Sequence, residues 1–405
     1  GGNGNDTINT SAVNYPVTLI GGSGDDRLTA GGGDDRLDGG AHKDIIKAGA
    51  GNDTLVAGTG DDYLNGESGT DCLIEVISGN ARITNTKLVT SANGTDTLVA
   101  LECFEITGDS GNNVLDASKY TWGGVTLRGG DGNDTLLGSA SDDTLDGGNG
   151  TDQVKQTASF NQTLIDTQLI GNGTDTLNSI ERANLTAVLA LGNTIDASAF
   201  TGFVTLTGGN GPDRLLASIL GSVINGGAGK DTITGGIGAD SINSGAGDDS
   251  ISSGDGNDTN AGSTGNDFID AGEDNDSVLG GDGRDTIFGG DGDDSIDGGA
   301  HEDIISGGLG NDLITGGSGN DVISGGAGND HISGLDGNDT LLGDAGHDTL
   351  FGGKGRDVCL GGDGNDMVDG GADRDTVAGG ADDDVITTLN EIDETFMFDF
   401  TMLLV

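Results

Sequence analysis

The chain is poor in almost everything that builds an ordinary globular core. Aromatic residues make up 3% of its 405 positions and proline occurs 2 times, so a compact interior of large side chains is excluded. Lysine and arginine together number 16 against 68 Asp+Glu, for a formal net charge of -52. That balance excludes nucleic-acid phosphates and anionic membrane surfaces as partners and invites cations. No apolar run approaches the eighteen or so residues of a spanning helix, and no N-terminal signal peptide is visible. The three cysteines, Cys72, Cys103 and Cys359, are too few and too irregular for a disulfide framework or a zinc site. Cys359 reads as a small core hydrophobe, and a Cys72–Cys103 bridge is the minor alternative to two free thiols.

What is present is glycine, 82 residues of it, and acid, and neither is scattered. From Gly208 to Thr387 the chain is one nine-residue pattern, Gly-Gly-x-Gly-x-Asp-x-U-x with U aliphatic, written twenty times without a slip. Clean copies read GGLGNDLIT (Gly307 to Thr315), GGSGNDVIS (Gly316 to Ser324) and GGAGNDHIS (Gly325 to Ser333). Position six is Asp213, Asp231, Asp240, Asp249, Asp258, Asp267, Asp276, Asp285, Asp294, Asp303, Asp312, Asp321, Asp330, Asp339, Asp348, Asp357, Asp366, Asp375 and Asp384, and only Ser222 breaks the series. Position eight departs from aliphatic at Cys359 and Asn260. Acidity with few aromatics ordinarily means disorder. Carboxylates held at one phase of a fixed period mean a scaffold, and a period this short is that of a solenoid.

The same nonad fills Gly21 to Ile74, with Asp26, Asp35, Asp44, Asp53, Asp62 and Asp71 at position six. It returns in Gly129 to Lys155, with Asp134, Asp143 and Asp152, and an isolated copy at Gly1 to Asn9 carries Asp6. The blocks are therefore 21–74, 129–155 and 208–387, separated by longer segments at 75–128 and 156–207. Those segments repeat one another: Gly94-Thr-Asp-Thr-Leu98 returns as Gly173-Thr-Asp-Thr-Leu177, and Val125-Thr-Leu127 as Val204-Thr-Leu206. Residues 1–20 hold the partial repeat and the tail of an earlier copy. Alternation of β-branched and polar residues from Ala81 to Val89 reads as strand. Longer β turns continuing the stack are expected, with a small β subdomain bulging from it as the competing reading. Because Gly1 opens a repeat in register, the chain is expected to be a fragment or a mature C-terminal portion.

The spacing has a chemical purpose. Gly-Gly-x-Gly takes positive φ at little cost, so backbone carbonyls can turn towards one point. Asp follows, and x-U-x is long enough for a three-residue strand whose alternation sends U inward. Two nonads then make one turn, and loops eighteen residues apart stack at roughly the 4.8 Å strand spacing. Asp side chains and glycine carbonyls of adjacent loops converge as hard oxygen donors, six to eight of which at roughly 2.3–2.6 Å suit Ca2+ better than Mg2+. An ion at tenfold its dissociation constant adds about 1.4 kcal/mol per site. The chain is accordingly expected to be unfolded without calcium and folded with it.

These nonads resemble the repeats-in-toxin (RTX) family of hemolysin-type calcium-binding repeats. The resemblance implies an all-β fold, a right-handed parallel β-roll, interrupted here by the longer β insertions. It implies calcium ligation by the position-six aspartates together with backbone carbonyls at positions two and four. Here those are Gly308 and Gly310 with Asp312, Gly317 and Gly319 with Asp321, and Gly326 and Gly328 with Asp330. It also implies bacterial type I secretion through an uncleaved C-terminal signal, with folding driven by calcium outside the cell. The ending Asp399-Phe-Thr-Met-Leu-Leu-Val405 is similar to some such signals, although Thr401 interrupts it. Residues 388–405 have no loop glycine and concentrate Phe396, Phe398, Phe400 and Leu403 to Val405, so end cap and export signal both remain open.

Departures mark weak points. Position four is not glycine at Leu220, Asp274, His301, Asp373 and Asp382 in the long array, nor at His42 in the first block. The copy from Ala217 to Asn225 lacks both Gly-Gly and Asp and is expected to hold little or no ion, and Asn260 is expected to loosen its turn. His42 and His301 read as tolerated loop variants, since no two histidines share metal-ligand spacing. Catalysis has no foothold: there is no Gly-x-Ser-x-Gly elbow and no His-Glu-x-x-His, so no enzyme is expected. The chain reads as a secreted, monomeric, calcium-binding β-roll supporting type I export. A structural rod in a surface layer or adhesin is the alternative, as is the C-terminal part of a toxin or hydrolase with its catalytic domain upstream.

Overall fold

In a computed structural model, which describes residues 1–188 and 190–387 and the backbone of the strand Glu394–Thr395, strands are the only regular element. The end-cap and export-signal expectations for 388–405 thus lie outside the described residues, save that Glu394–Thr395 pairs in parallel with Thr376–Ala381. The chain divides into two compact units, Gly1–Leu185 and Thr186–Val405, with the boundary inside the second long segment. Each is a parallel β-solenoid.

In the second unit the register is eighteen residues, two nonads per turn. Ile304–Leu309 pairs in parallel with Val322–Ala327, Ile304 opposite Val322 and Gly308 opposite Gly326. The intervening Leu313–Ser318 belongs to the other sheet, between Ser295–Ala300 and His331–Asp336. Alternation sends position eight inward, so that Ile287, Ile305 and Ile323 stack in one sheet and Ile296, Ile314 and Ile332 in the other, all buried. One aliphatic residue per strand forms the core, which is why so few large side chains suffice.

The strands are six residues long, not the expected three. Gly-Gly-x does not leave the sheet as loop; it continues the strand, and position one points inward like position eight, as Ile323 and Gly325 do in Val322–Ala327. The corners then carry the ladder round, with Leu313 N donating to Asp294 O at 2.8 Å and Gly310 N to Ala327 O at 2.8 Å. Backbone donors are satisfied turn on turn, as burial requires.

The first unit repeats this arrangement and adds the first long segment and the start of the second. Ala81–Thr84 and Lys87–Thr90 form an antiparallel hairpin, Thr95–Val99 pairs antiparallel with its second arm, and Thr97 to Val99 also pair in parallel with Tyr63 to Asn65. Cys103–Thr107 lies in parallel between Cys72–Val76 and Val125–Asp131. Phe104 and Tyr120 are buried edge to face at 4.8 Å between ring centroids, so Tyr120 is a packed core residue. In the second segment Gln162–Ile165, Gln168–Gly171 and Gly173–Asn178 form an antiparallel meander whose last strand pairs in parallel with Thr144–Asn149.

Cys72 and Cys103 form a disulfide, which corrects the expectation of two free thiols. The two residues are 31 apart in sequence but directly opposite in register on neighbouring parallel strands, with the same outward phase. Cys359 is free and fully buried at its inward position, as expected.

Candidate calcium-binding ladder

The position-six aspartates do not point from the loops into solvent. Asp312, 2% exposed, is typical of the column and lies against the interior at the corner of the turn. Its Oδ1 accepts from the amide of Asp294 at 2.9 Å, and its own amide donates to Oδ1 of Asp330 at 2.9 Å. The relay runs from Asn193 through Asp213, Asp231, Asp249, Asp267, Asp285, Asp303, Asp321, Asp339 and Asp357 to Asp375. A second relay runs from Ser222 through Asp240, Asp258, Asp276, Asp294, Asp312, Asp330, Asp348 and Asp366 to Asp384. In the first unit Asp26, Asp44 and Asp62 form one such column and Asp35, Asp53 and Asp71 another. Asp134 and Asp152 are linked likewise, and the amide of Asp6 donates to Asp26.

The other carboxylate oxygen is left over. Oδ2 is buried without a hydrogen-bond partner in every position-six aspartate except Asp6, Asp143, Asp375 and Asp384. Position-one glycine makes the room: a Cβ on Gly307 would collide with Asp312 Oδ2 and with the carbonyl of Gly325 in the next turn. A carboxylate oxygen and a carbonyl oxygen therefore crowd one Cα at this corner, and likewise at Gly289 and Gly298. Gly308 and Gly310, at φ 120° and 127°, each bring their Cα against the carbonyl of the same position one turn earlier, Gly290 and Gly292. Gly317, Gly319, Gly326 and Gly328 also have positive φ. The carbonyls of Gly308 and Gly310 in turn abut Gly326 and Gly328, so these carbonyls recur turn on turn.

Buried carboxylates without positive partners resist ionisation. Burial, offset partly by the amide of Asp285 and reinforced by Asp285 and Asp321, pushes Asp303 up to about 7. Burial likewise pushes Asp312 up to about 6 against the amide of Asp294. The ion pairs Arg82–Asp116, Arg128–Glu105, Arg284–Glu302 and Lys354–Asp336 involve no position-six aspartate, so none of them relieves this. A buried polar atom orphaned once per nonad requires a partner, and a hard cation held by carboxylate and carbonyl oxygens supplies one. No three Asp, Glu, His or Cys side chains converge on a point among the described residues, so a bound ion has to draw largely on backbone carbonyls. The donor set is all oxygen, and it fits calcium.

Exceptions fall where the sequence departs. Both oxygens of Asp143 are occupied, Oδ1 by Val125 N and Ser139 Oγ and Oδ2 by Ser139 N. Ser222 passes on the amide relay to Asp240 but turns its own hydroxyl to Leu220 O. His42, Asp274, His301, Asp373 and Asp382 adopt the positive φ of the glycine they replace, and the ring of His301 turns to the neighbouring Ala300 carbonyl. Asn260 is buried and donates to Ser253 Oγ at 2.7 Å, while its Oδ1 has no partner.

Sequence reasoning missed the rungs inside the long segments. Asp96 accepts from Asp62 N at 3.0 Å and Asp175 from Asp143 N at 3.1 Å, both buried. Glu102 accepts from Asp71 N and Glu181 from Asp152 N. Gly94-Thr-Asp-Thr-Leu98 and its copy are themselves Gly-x-Asp-x-U, positions four to eight of the nonad, and that signal marks Asp96 and Asp175. Nothing comparable marks the glutamates.

A parallel β-solenoid with a column of half-satisfied aspartates at its corners defines a calcium-binding repeat protein. A family profile described as RTX calcium-binding nonapeptide repeat (4 copies) matches residues 18–41, 38–73 and 126–154, and overlapping stretches from 225–259 to 360–393. The chain belongs to this RTX calcium-binding repeat family. No curated protein matches it.

Proposed function

We propose that the chain is a secreted calcium-responsive module, a binding and folding device and not a catalyst, exported unfolded by a type I system and folded by calcium outside the cell. The supporting observation is the unpartnered Oδ2 repeated along both aspartate columns of each unit. With calcium scarce, these buried like charges oppose folding; with calcium abundant, binding to the folded state alone stabilises it by mass action. Type I export with an unfolded substrate needs such a condition, and the family to which the chain belongs supports it. Circular dichroism in metal-free buffer and in millimolar calcium tests the folding half: a β signal of equal size in both overturns it. Fusion of 388–405 to a passenger tests the export half, and a passenger retained in the cell overturns that.

A further inference from the structure

Asp71 and Glu102 are 31 residues apart in sequence, yet they form a rung of the ladder. The amide of Asp71 donates to Glu102 Oε2 at 3.0 Å, and the amides of Glu102 and Cys103 both donate to Asp71 O at 3.1 Å. Asp71 is 1% exposed and its Oδ2 has no partner. A Cβ on Gly66 would collide with both this Oδ2 and the carbonyl of Ala100, so the two oxygens share one corner. Ala100 holds φ at 48°, a left-handed value unusual for a residue with a side chain, immediately before Leu101 and Glu102. The second long segment builds the same corner: Asp152 N donates to Glu181 Oε2 at 2.8 Å, Asp152 Oδ2 is unpartnered, Ser179 O crowds Gly147, and Ser179 has φ 50°. One difference separates the twins. The residues after Asp71 and Glu102 are Cys72 and Cys103, joined as a disulfide; the residues after Asp152 and Glu181 are Gln153 and Arg182.

We infer that Asp71 Oδ2, Ala100 O and the Glu102 carboxylate form a calcium site completed by residues outside the nonad pattern, latched by the Cys72–Cys103 disulfide. The inference rests on the calcium reading above and adds a redox condition to it. In a nonad array the next rung is eighteen residues away and is delivered by the repeat itself. Here the chain must close around a hairpin before Glu102 returns, and closure grows more costly with length. The disulfide closes the base of that insert, so the donors stay together when the ion leaves, and preorganisation raises affinity. Forming it needs an oxidant, a small-molecule disulfide: its S–S bond breaks, the Cys72–Cys103 bond forms, and two small thiols leave carrying the two protons the cysteines lose. A thiol reductant reverses the exchange.

The test uses the full chain, folded in calcium, then titrated with calcium by calorimetry before and after reduction, with hydrogen exchange read separately over 72–107 and 153–187. Reduction is expected to weaken one site by about tenfold and to raise exchange at limiting calcium in 72–107 alone. Glu102→Gln in the oxidised chain is expected to lower the calcium stoichiometry by one site, and Cys72→Ser with Cys103→Ser to reproduce reduction. Equal titrations and equal exchange in both redox states overturn the latch while leaving nonad binding intact. Glu102→Gln without effect on stoichiometry overturns the site. A chain that binds no calcium anywhere overturns this inference together with the reading beneath it.

Discussion

The amide of Asp303 donates to Oδ1 of Asp321, 2.9 Å away and one turn on, while the second oxygen of Asp321 has no donor. The same side chain thus has two separable duties, an acceptor that tethers turns and an anionic oxygen open to a cation.

Asp321→Asn separates them. The amide keeps an oxygen for the relay and loses the anionic one, so calcium bound at saturation is expected to fall, by calorimetry, while the metal-free chain is little changed. Asp321→Ala removes both and is expected to cost a further 1–3 kcal/mol, roughly, of stability in calcium through the orphaned amide of Asp303. Equal behaviour of the two variants would show that the tether carries nothing.

Without metal, acidity should help. Burial raises Asp240, Asp267, Asp276 and Asp303 to about 7 and Asp312, Asp330 and Asp348 to about 6. The unfolded chain titrates near 4, roughly, so between these values the folded state binds more protons and stability falls as pH rises. In chelator-treated protein the β signal and thermal midpoint are expected to be higher at pH 5 than at pH 8. The calcium midpoint is expected to move to higher concentration at the lower pH, because protons and calcium compete for the same oxygens. A metal-free chain more stable at pH 8 contradicts this account of the carboxylates.

Asn260 interrupts an aliphatic column, pairing in register with Ile242 and Val278. Asn260→Ile removes an unpartnered buried oxygen and restores apolar contact, and Ser253 keeps its bond to Ala271 O. Stability in saturating calcium is expected to rise by about 1–3 kcal/mol, read from denaturant unfolding.

Leu335 occupies a position-two slot at φ 76°, exposed by 46%. Leu335→Gly relieves a left-handed conformation and is expected to stabilise by about 1 kcal/mol. The opposite change, Gly308→Val, drives a side chain into the carbonyl of Gly290 and is expected to destabilise by more than that. Paired thermal melts check both signs.

Much of this was legible because the nonad is both a structural and a chemical period. Asp312 and Ile314 follow from it directly, as do the two-nonad turn and the break in the aspartate column at Ser222. Strand length was not legible: glycine pairs such as Gly307 and Gly308 read as loop by propensity, yet pairing with the neighbouring turns takes them into the strand Ile304–Leu309. Asp96 and Asp175 were written in the pattern but stood outside an unbroken array. Glu102, Glu181 and the Cys72–Cys103 bond were hidden for another reason. Their partners are set by the path of an inserted hairpin, and sequence separation says nothing of register once the period is broken.

The alternation of successive strands between two sheets gives the chain a parity. Excising two consecutive nonads leaves each later strand on its original side, whereas excising one transfers them all to the opposite wall and sets every later aspartate over the wrong column. Natural or engineered length variants of such a chain should therefore differ by even numbers of copies.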